Sequence, residues 1–566
     1  MRATLVCLVL LSLLDGGAAW AQQEWSSELA TKVDKIFERM DTTTSPGCAL
    51  GLVRDGRLVY ARGYGMANLD HDVVITPSTV FHVASVSKQF TAAAIHLLAR
   101  DGKVSLDDDV RKYVPELPDF GAPITIRHLI HHTSGLRDQW ELLILAGWRY
   151  SLDLITDDDV LQMMARQKDL NFRPGAEHLY CNTGYTLLAV IVTRVSGQTF
   201  REFTAARLFK PLGMTRTFFR DDHAEVIKGQ AYGYVPARDT FRLSVTNFDT
   251  AGATSLHTTV EYLVLWDRNF SDGGVGGPDF IATLLKKGML ANGDELPYAS
   301  GLVHGTYRGL PTVGHGGSDA GYRADYLRFP GERASIAALC NLSTANPSAL
   351  TRSVADVWLA DKLGPVPAVP ADDRPAVSLS AEDLRRYEGL YWQRGTDNYR
   401  RLAARNGVME SVWGPSATPL KAVGGGVFAG RMTDFSVETG PDNRRRLTET
   451  IRGSAAKPTQ LEEVEPYSPT PAQAAEYTGV YYSEEIEPAY RIEVAEGRLV
   501  VRRLKVAAVT LEPLTRDVFR GSTGTLRFSR DSKGRVTGFT LSSGRIRGFR
   551  FSRDASRPGS QAPGRH

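Results

Sequence analysis

The sequence predicts an α/β fold for residues 22–363, and three observations favour it. A strand-like run, Cys48–Arg54, is followed by Asp55-Gly56 and a second alternating run, which is typical of a β-hairpin. Apolar periodicity then indicates a series of helices, with stretches at 91–99, 158–167 and 186–195. Strand-like runs return at 324–329 and 334–339. Strands at both ends with helices between them predict one sheet whose terminal strands can pair with each other.

The composition changes after this region. Residues 364–380 contain Pro365, Pro367, Pro370 and Pro375 and are predicted to form a stiff, extended linker. Short β-rich runs with glycine and arginine follow, and helix signals become few. The C-terminal part is therefore expected to be mainly β-structure.

A weak internal repeat divides this C-terminal part. The segment Tyr387–Trp392 is echoed by Tyr477–Tyr482, and a polar helical turn precedes each copy. Two small antiparallel β-barrels, at 381–465 and 466–555, are the simplest interpretation. Two halves of one larger barrel are the alternative. Residues 556–566 are predicted to be a disordered tail.

The N-terminus has the pattern of a targeting segment. Arg2 precedes the apolar run Leu5–Leu14, and Ala19-Trp20-Ala21 fits a cleavage site. We therefore expect residues 1–21 to be a signal peptide and the protein to be exported, either periplasmic or secreted; an uncleaved anchor is the alternative. Neither this run nor any later segment has the length of a stable transmembrane helix.

The charge and the cysteine content argue against a nucleic-acid-binding protein and against a small disulfide-rich fold. The net charge is only +3 and contains no long basic block, so nucleic acid is not an expected partner. Removing the signal peptide leaves Cys48, Cys181 and Cys340, which is not a disulfide framework. Three buried free thiols are the favoured interpretation, and one Cys48–Cys340 bridge is the alternative.

A candidate nucleophile lies at the start of the helix predicted around residues 91–99. In Ser85-Val86-Ser87-Lys88, the spacing i, i+3 puts the Lys88 amine beside the Ser85 hydroxyl on one helix face. A hydroxyl becomes a nucleophile when a neighbour accepts its proton. Burial and the positive helix N-terminus would lower the pKa of Lys88 toward the range of a general base. Alone, the pattern also fits an N-cap serine and a surface lysine.

Two further motifs contain residues suited to the same chemistry. In Tyr180-Cys181-Asn182, a tyrosine near a lysine can act as a phenolate base, and the asparagine can hold a substrate carbonyl and the lysine. In 315–318, His315 can polarise the site or pass a proton, while Gly316 and Gly317 allow a substrate backbone to approach an edge strand. A backbone N–H here could form an oxyanion hole with that of Ser85.

Taken together and in this order, the three motifs resemble those of the β-lactamase-related serine hydrolases, which include class C β-lactamases, D,D-carboxypeptidases and D-aminopeptidases. Residues 131–136, His-His-Thr-Ser-Gly-Leu, and 172–175, Phe-Arg-Pro-Gly, resemble further segments of that family. The resemblance implies an antiparallel sheet flanked by helices, with an all-helical subdomain. The catalytic domain followed by two β-domains is similar to D-stereospecific aminopeptidases, in which a loop from the tail shapes the active site.

The resemblance also implies roles for individual residues. Ser85 would be the acylated nucleophile, Lys88 and Tyr180 would share the proton transfers, and Asn182 would orient the substrate amide. Ser318 would supply the second N–H of the oxyanion hole. His315 stands where many members carry lysine, and a neutral imidazole lacks a permanent charge for a substrate carboxylate. This departure, with glycine at 316 in place of threonine, favours a peptidase, amidase or esterase over a true β-lactamase.

The expected function is therefore an exported serine hydrolase that cleaves an amide or ester, in a D-amino-acid-containing peptide or a small ester. The alternatives are a D,D-carboxypeptidase or β-lactamase, a catalytically quiet binder of cell-wall peptides or β-lactams, and a secreted adhesion protein that uses its β-domains. No cofactor or metal is expected, because His131-His132 lacks a spaced third ligand. The sequence does not predict an oligomeric state.

Overall fold

A computed structural model of the protein describes residues 25–366, 372–393, 396–413, 416–454 and 457–554. The predicted signal peptide and the predicted disordered tail lie outside these ranges. In the described part of the chain, no helix combines the length and the apolar character needed to cross a membrane.

A six-stranded antiparallel sheet forms the centre of the N-terminal domain. Its strands in chain order are β1 Cys48–Arg54, β2 Arg57–Tyr64, β3 Val303–Tyr307, β4 Leu310–Asp319, β5 Tyr322–Phe329 and β6 Ala334–Cys340. They lie in the order β3-β4-β5-β6-β1-β2. The predicted hairpin is confirmed: Asp55 and Gly56 have φ angles of 53° and 70°, as a tight hairpin turn requires. The predicted pairing of the terminal strands is also confirmed, because β1 pairs with β6.

This pairing corrects the interpretation of the cysteines. In the register of β1 and β6, Cys48 lies directly opposite Cys340, and the two form a disulfide. The favoured prediction of three free thiols is therefore wrong for these two residues. It is right for Cys181, which is free and buried. The bridge depends on a strand register that cysteine spacing alone does not reveal.

Helices cover both faces of the sheet. The helices are α1 Ser27–Phe37, α2 Lys88–Arg100, α3 Ile126–Ile130, α4 Gln139–Leu145, α5 Asp157–Ala165, α6 Asn182–Ser196, α7 Phe200–Thr204, α8 Val260–Asp272, α9 Gly277–Leu285 and α10 Pro347–Trp358. On one face, α1 and α10 pack on Leu50 and Leu52 of β1. On the other face, α8 packs on β1 and β2, and α2 packs against α6. The sheet therefore lies between two helical layers, as the α/β prediction requires.

Short ribbons complete this domain. They pair Met66–Asn68 with Val73–Val74, Ile155–Thr156 with Phe248–Asp249, Tyr234–Ala237 with Thr240–Leu243, and Leu256–Thr258 with both Phe81–His82 and Phe218–Phe219.

The first C-terminal β-domain is a closed eight-stranded barrel that follows helix α11, Ala381–Arg385. Its strands are Gly389–Trp392, Tyr399–Arg405, Val408–Trp413, Ser416–Gly424, Val427–Ala429, Thr433–Thr439, Arg445–Ile451 and Thr459–Val464. The first and last strands pair and close the barrel. Part of the predicted linker packs on it, since the Val377 N–H donates to the Ala422 carbonyl.

The second β-domain is a nearly closed nine-stranded sheet that follows helix α12, Pro471–Ala475. Its strands are Gly479–Tyr482, Tyr490–Ala495, Arg498–Arg503, Val506–Thr510, Glu512–Thr515, Val518–Gly521, Gly524–Arg530, Val536–Ser543 and Ile546–Arg553. The two edge strands, 506–510 and 512–515, follow each other in the chain.

The two β-domains begin in the same way, which explains the repeat in the sequence. In each copy the second tyrosine hydroxyl donates to the carbonyl of the first: Tyr391 to Tyr387 at 2.9 Å, and Tyr481 to Tyr477 at 2.7 Å. Two small barrel-like units are therefore confirmed, and the alternative of one larger barrel is wrong because each sheet curls back on itself. The predicted domain boundaries stay predictions.

The second β-domain docks on helices of the N-terminal domain. The Arg137 guanidinium donates to the Glu485 carboxylate at 2.6 Å, and both side chains are almost fully buried. The Tyr490 hydroxyl donates to the Leu145 carbonyl at 2.8 Å. Removing one partner of a buried ion pair leaves an uncompensated charge, which makes the contact sensitive to mutation. This docking brings Arg545, near the end of the described residues, close to the motifs that contain Ser85, Tyr180 and His315.

Candidate active site

Ser85 lies in a short 3-10 turn, Ala84–Ser87, that runs directly into α2. The residue before it, Ala84, has a φ of 48°, an uncommon value for a residue with a Cβ atom. Such local strain is found at functional sites where the surrounding structure fixes the backbone. The turn presents the half-buried Ser85 side chain to a cavity of about 580 Å³.

The Lys88 amine lies beside the Ser85 hydroxyl, as the i, i+3 spacing predicts. Lys88 Nζ donates to Ser85 Oγ at 3.1 Å, to Asn182 Oδ1 at 2.9 Å and to the Ala253 carbonyl at 2.6 Å. The side chain is fully buried, and this burial lowers the pKa of Lys88 to about 7. Asp138 opposes the shift and Arg545 adds to it. Near neutral pH, a large fraction of Lys88 is therefore uncharged and able to accept a proton.

The Tyr180 ring also lies next to Lys88, with Nζ 4.9 Å from its centre. Its buried hydroxyl makes no hydrogen bond of good geometry with the described residues, although Ser85 is close enough to influence its pKa. Burial raises the pKa of Tyr180, and the smaller opposing effects of Ser85 and Arg545 do not cancel this. Burial therefore favours the protonated hydroxyl over the predicted phenolate in the free protein at neutral pH, and in this form Tyr180 can donate a proton.

Asn182 begins helix α6 and is fixed by a buried carboxylate. Its backbone N–H and its side-chain amide both donate to Asp138 Oδ2, at 2.7 and 2.8 Å. Its carbonyl oxygen is thereby turned toward Lys88. Cys181, between Tyr180 and Asn182, is buried, and burial raises the pKa of its thiol to about 12. The thiol is therefore no rival to Ser85 as a nucleophile.

His315 is buried in β4 and lines the same cavity. Its Nδ1 lies 2.5 Å from the Gly316 carbonyl oxygen, and its Nε2 lies 3.2 Å from the Tyr298 hydroxyl. Burial, with the nearby Lys88, lowers the pKa of His315 to about 4. The imidazole is thus neutral at pH 7, as predicted, and both of its nitrogens already have partners.

The glycines of β4 let the strand lie close to the nucleophile turn. A Cβ atom on Gly317 would come within 2.4 Å of the Val83 carbonyl oxygen, so only glycine fits there. At Gly316 the nearest atom to such a Cβ would be 3.7 Å away, which is an ordinary contact. Ser318 follows on the exposed side of the strand and also lines the cavity. This close approach fits the predicted oxyanion hole between the backbone N–H groups of Ser85 and Ser318.

The structure thus brings all the predicted site residues to one cavity or its floor. Sequence reasoning missed two contributors. Asp138 caps helix α4 through the Trp140 N–H, and an N-cap aspartate was the only available signal for it. Arg545 reaches the cavity from the second β-domain, with its guanidinium 4.8 Å from the centre of the Tyr180 ring. The resemblance to D-stereospecific aminopeptidases implied a loop from the tail at the active site, but no motif identifies this residue.

One group in the described part of the chain has the spacing of metal ligands: Asp222, His223 and Asp249. His223 Nδ1 lies 3.0 Å from Asp249, so these two side chains satisfy each other. None of the three lines the cavity that contains Ser85.

The arrangement is suited to acyl transfer. It combines a serine hydroxyl, an amine of lowered pKa beside it, a buried phenol and a glycine-containing strand that lies against the turn of Ser85.

Comparisons with known proteins agree with this geometry. A family model described as Beta-lactamase matches residues 33–361. A D-aminopeptidase of Gluconobacter oxydans (strain 621H) is 28% identical over 464 residues, which cover 80% of this chain and 82% of the relative.

Two solved structures share the fold. The octameric penicillin-binding protein homologue from Pyrococcus abyssi has a TM-score of 0.53 and 21% identity, and the match covers 84% of this chain and 98% of that chain. The D-amino acid amidase from Ochrobactrum anthropi SV3 has a TM-score of 0.51 and 21% identity, over 59% of this chain and 99% of that chain. The family match and the D-aminopeptidase relative, together with the site geometry, show that the chain is a serine hydrolase that belongs to the beta-lactamase family.

Proposed function

We propose that the protein hydrolyses the amide bond of D-amino-acid amides or short peptides through an acyl-enzyme on Ser85. The observation that carries this proposal is the 3.1 Å contact between Ser85 Oγ and the amine of Lys88, whose pKa burial lowers to about 7. The similarity to a D-aminopeptidase over 80% of the chain supports the D-configuration of the substrate.

In the proposed first step, uncharged Lys88 accepts the proton of Ser85 Oγ while the oxygen attacks the substrate carbonyl carbon. The negative charge that develops on the carbonyl oxygen is stabilised by the backbone N–H groups of Ser85 and Ser318. Asn182, held by Asp138, orients the substrate amide. The Tyr180 hydroxyl donates its proton to the leaving amine as the C–N bond breaks, and the Lys88 ammonium restores that proton to Tyr180.

Deacylation uses the same groups in reverse. A water molecule attacks the ester carbonyl of the acyl-serine and gives up a proton to uncharged Lys88. The ester C–O bond breaks, Ser85 Oγ regains a proton, and the carboxylic acid product leaves. Hydrolysis is thereby complete without a net change in the enzyme.

The test is hydrolysis by the purified protein of a panel: D- and L-alaninamide, D-Ala-D-Ala, a penicillin and a p-nitrophenyl ester. We expect D-alaninamide to be cleaved and Ser85→Ala to abolish turnover, since no other described nucleophile lines the cavity with an activating amine. Cys181→Ala is the matched control and should retain activity. Preference for D-Ala-D-Ala or the penicillin would instead favour a carboxypeptidase or β-lactamase.

An acyl adduct provides a second readout. A fluorophosphonate should add covalently to Ser85, as detected by intact-mass spectrometry, and the adduct should be absent in Ser85→Ala. Binding of the panel without hydrolysis or adduct formation would favour the catalytically quiet alternative and contradict the proposal.

We further propose that the protein is exported. The pattern of residues 1–21 supports this, and so does the Cys48–Cys340 disulfide, because such bonds persist in oxidising compartments. N-terminal sequencing of the protein from fractionated cells of its host tests it. A mature chain beginning near residue 22 in the periplasm or medium is expected, whereas an intact Met1 in the cytoplasm would contradict it.

A further inference from the structure

A hairpin of the second β-domain enters the catalytic cavity. It joins strands 536–543 and 546–553, and its tip is Gly544-Arg545. Gly544 has a φ of 44°, and a Cβ atom there would lie 2.6 Å from Glu141 Oε1. The tip therefore fits closely against helix α4 of the catalytic domain.

The backbone of Arg545 is fixed on both sides by that domain. Its N–H donates to Glu141 Oε2 at 2.8 Å, and its carbonyl accepts from Asn171 Nδ2 at 2.8 Å. A second hydrogen bond, from the Arg547 N–H to Asn171 Oδ1, fixes the start of the strand that follows the tip. These hydrogen bonds fix the backbone position from which the Arg545 side chain extends at the edge of the cavity.

The guanidinium of Arg545, in contrast, lies over the Tyr180 ring and makes few hydrogen bonds. Among the described residues its hydrogen-bond acceptor is Asp138 Oδ2, at a long 3.4 Å, and Asp138 already accepts two shorter bonds from Asn182. The side chain is 38% exposed. Arg547, two residues later, is paired with Glu177 at 2.8 Å. A guanidinium has five N–H donors, so Arg545 keeps most of them available at the cavity.

The remaining charges make the cavity cationic. Three residues that line it carry a formal charge near neutral pH: Asp319, Arg323 and Arg545. Asp319 is buried and accepts from Thr254 and Tyr150, each at 2.6 Å, and lies 3.1 Å from His82. Its charge is thus satisfied within the protein. His315 is neutral, so the positive charge at the cavity comes from Arg545, which Asp138 offsets in part at 3.4 Å, and from Arg323, which donates to the Ala320 and Tyr322 backbone carbonyls.

We propose that Arg545 is a specificity-determining residue that binds a carboxylate of the substrate. The proposal takes the cleaved bond, an amide, from the proposed function. It adds the class of substrate, which is an anionic D-amino-acid amide or peptide. A guanidinium fork matches a carboxylate through two parallel hydrogen bonds, and the partly buried position limits competition from water. The same positive charge disfavours a substrate that places a free ammonium there.

A different role for Arg545 would be purely electrostatic. Its charge lowers the pKa of both Lys88 and Tyr180, so its loss would alter catalysis on every substrate by a similar factor. Carboxylate binding, in contrast, affects only substrates that carry the anion. Comparing matched substrates therefore separates the two roles.

The experiment uses two substrate pairs that differ only by carboxylate and carboxamide: D-glutamate and D-glutamine α-(4-nitroanilide), and D-Ala-D-Ala and D-Ala-D-alaninamide. In at least one pair we expect Arg545→Gln to lower kcat/KM for the acid by about 10- to 100-fold, mainly through KM, with a change of no more than about threefold for the amide. Arg547→Gln, in the same hairpin, is the control and should preserve the preference. Equal losses for acid and amide in both pairs would overturn the proposal.

Binding to Ser85→Ala, measured by calorimetry, makes the result independent of turnover. The acid of one pair should bind at least about tenfold more tightly than its amide, and the additional change Arg545→Gln should remove that difference. If the wild-type protein hydrolyses neither pair but the binding preference is present, the proposed function fails and carboxylate binding stands. If hydrolysis occurs without any such preference, carboxylate binding by Arg545 is refuted and the proposed function stands.

Discussion

The pH dependence of acylation should report the titration of Lys88. Lys88 must be uncharged to accept the proton of Ser85, and its pKa is lowered to about 7 by burial. The uncharged fraction is then about 1% near pH 5, about half near pH 7 and about 90% near pH 8. We therefore expect kcat/KM to rise about 50-fold between about pH 5 and 7 and then to level off. With an ordinary lysine pKa of about 10.4, the rise would continue about tenfold per pH unit beyond pH 9.

One other group near the cavity titrates in the same interval. Burial raises the pKa of Glu141, which holds the Arg545 backbone, to about 7. Glu141→Gln keeps an oxygen that can accept the Arg545 N–H but removes the titration. This variant should preserve the midpoint of the profile if Lys88 is responsible. His315, with a pKa near 4, and Tyr180, with a raised pKa, do not titrate between these limits.

The assay is kcat/KM for an uncharged p-nitrophenyl ester at constant ionic strength from about pH 4.5 to 9.5, since this parameter reports the free enzyme and the free substrate, and such an ester has no group that titrates in this range. The reasoning is refuted by a flat profile over this range or by a rise that persists above pH 9. If the midpoint near pH 7 disappears in Glu141→Gln, the pH dependence is due to Glu141 and the docking of the hairpin, not to Lys88.

Three further predictions concern stability and geometry. Lys88→Met should abolish turnover yet raise Tm, and the increase should be larger at about pH 6 than at pH 10. The pKa of Lys88 is lower in the folded than in the unfolded protein, so the stability of the wild-type protein rises with pH between about 7 and 10.4. A difference in Tm between variant and wild type that does not change with pH would contradict this. Gly317→Ala should lower kcat/KM about 100-fold by displacing β4, whereas Gly316→Ala should cost no more than about twofold; equal effects would refute the steric argument. Replacing Cys48 and Cys340 by alanine should destabilise the protein by up to about 5 kcal/mol, since the bridge spans 292 residues, and calorimetry showing an unchanged Tm would contradict the estimate.

Local patterns in the sequence predicted much of the fold and of the site. The Asp55-Gly56 turn depends on two neighbouring residues, and the Ser85–Lys88 contact depends on helical spacing. The tyrosine repeat likewise predicted two β-domains, because each copy forms the same short-range hydrogen bond. In these cases the interacting residues are close in the chain, so their spacing in the sequence is enough to predict the contact.

The features that the sequence left open, or did not indicate, depend on distant parts of the chain or on burial. The Cys48–Cys340 bridge requires the register of two strands that are far apart in the sequence. Arg545 reaches the cavity only because a whole β-domain docks on the helices. The protonation of Tyr180 follows from the burial of its hydroxyl, and no spacing in the sequence reports burial in a finished fold.

The pairing of β1 with β6 has a consequence for how the chain is made. β1 can form its hairpin with β2 at once, but its opposite edge is not covered until residue 340 has been synthesised. At ordinary rates of translation, one edge of β1, a strand that is buried in the folded protein, stays unpaired for roughly 15 to 60 s. Open apolar edges recruit other chains, and late, distant pairing slows folding. We therefore expect a chaperone that covers this edge during synthesis to raise the yield of folded protein, and slower synthesis to increase the need for it.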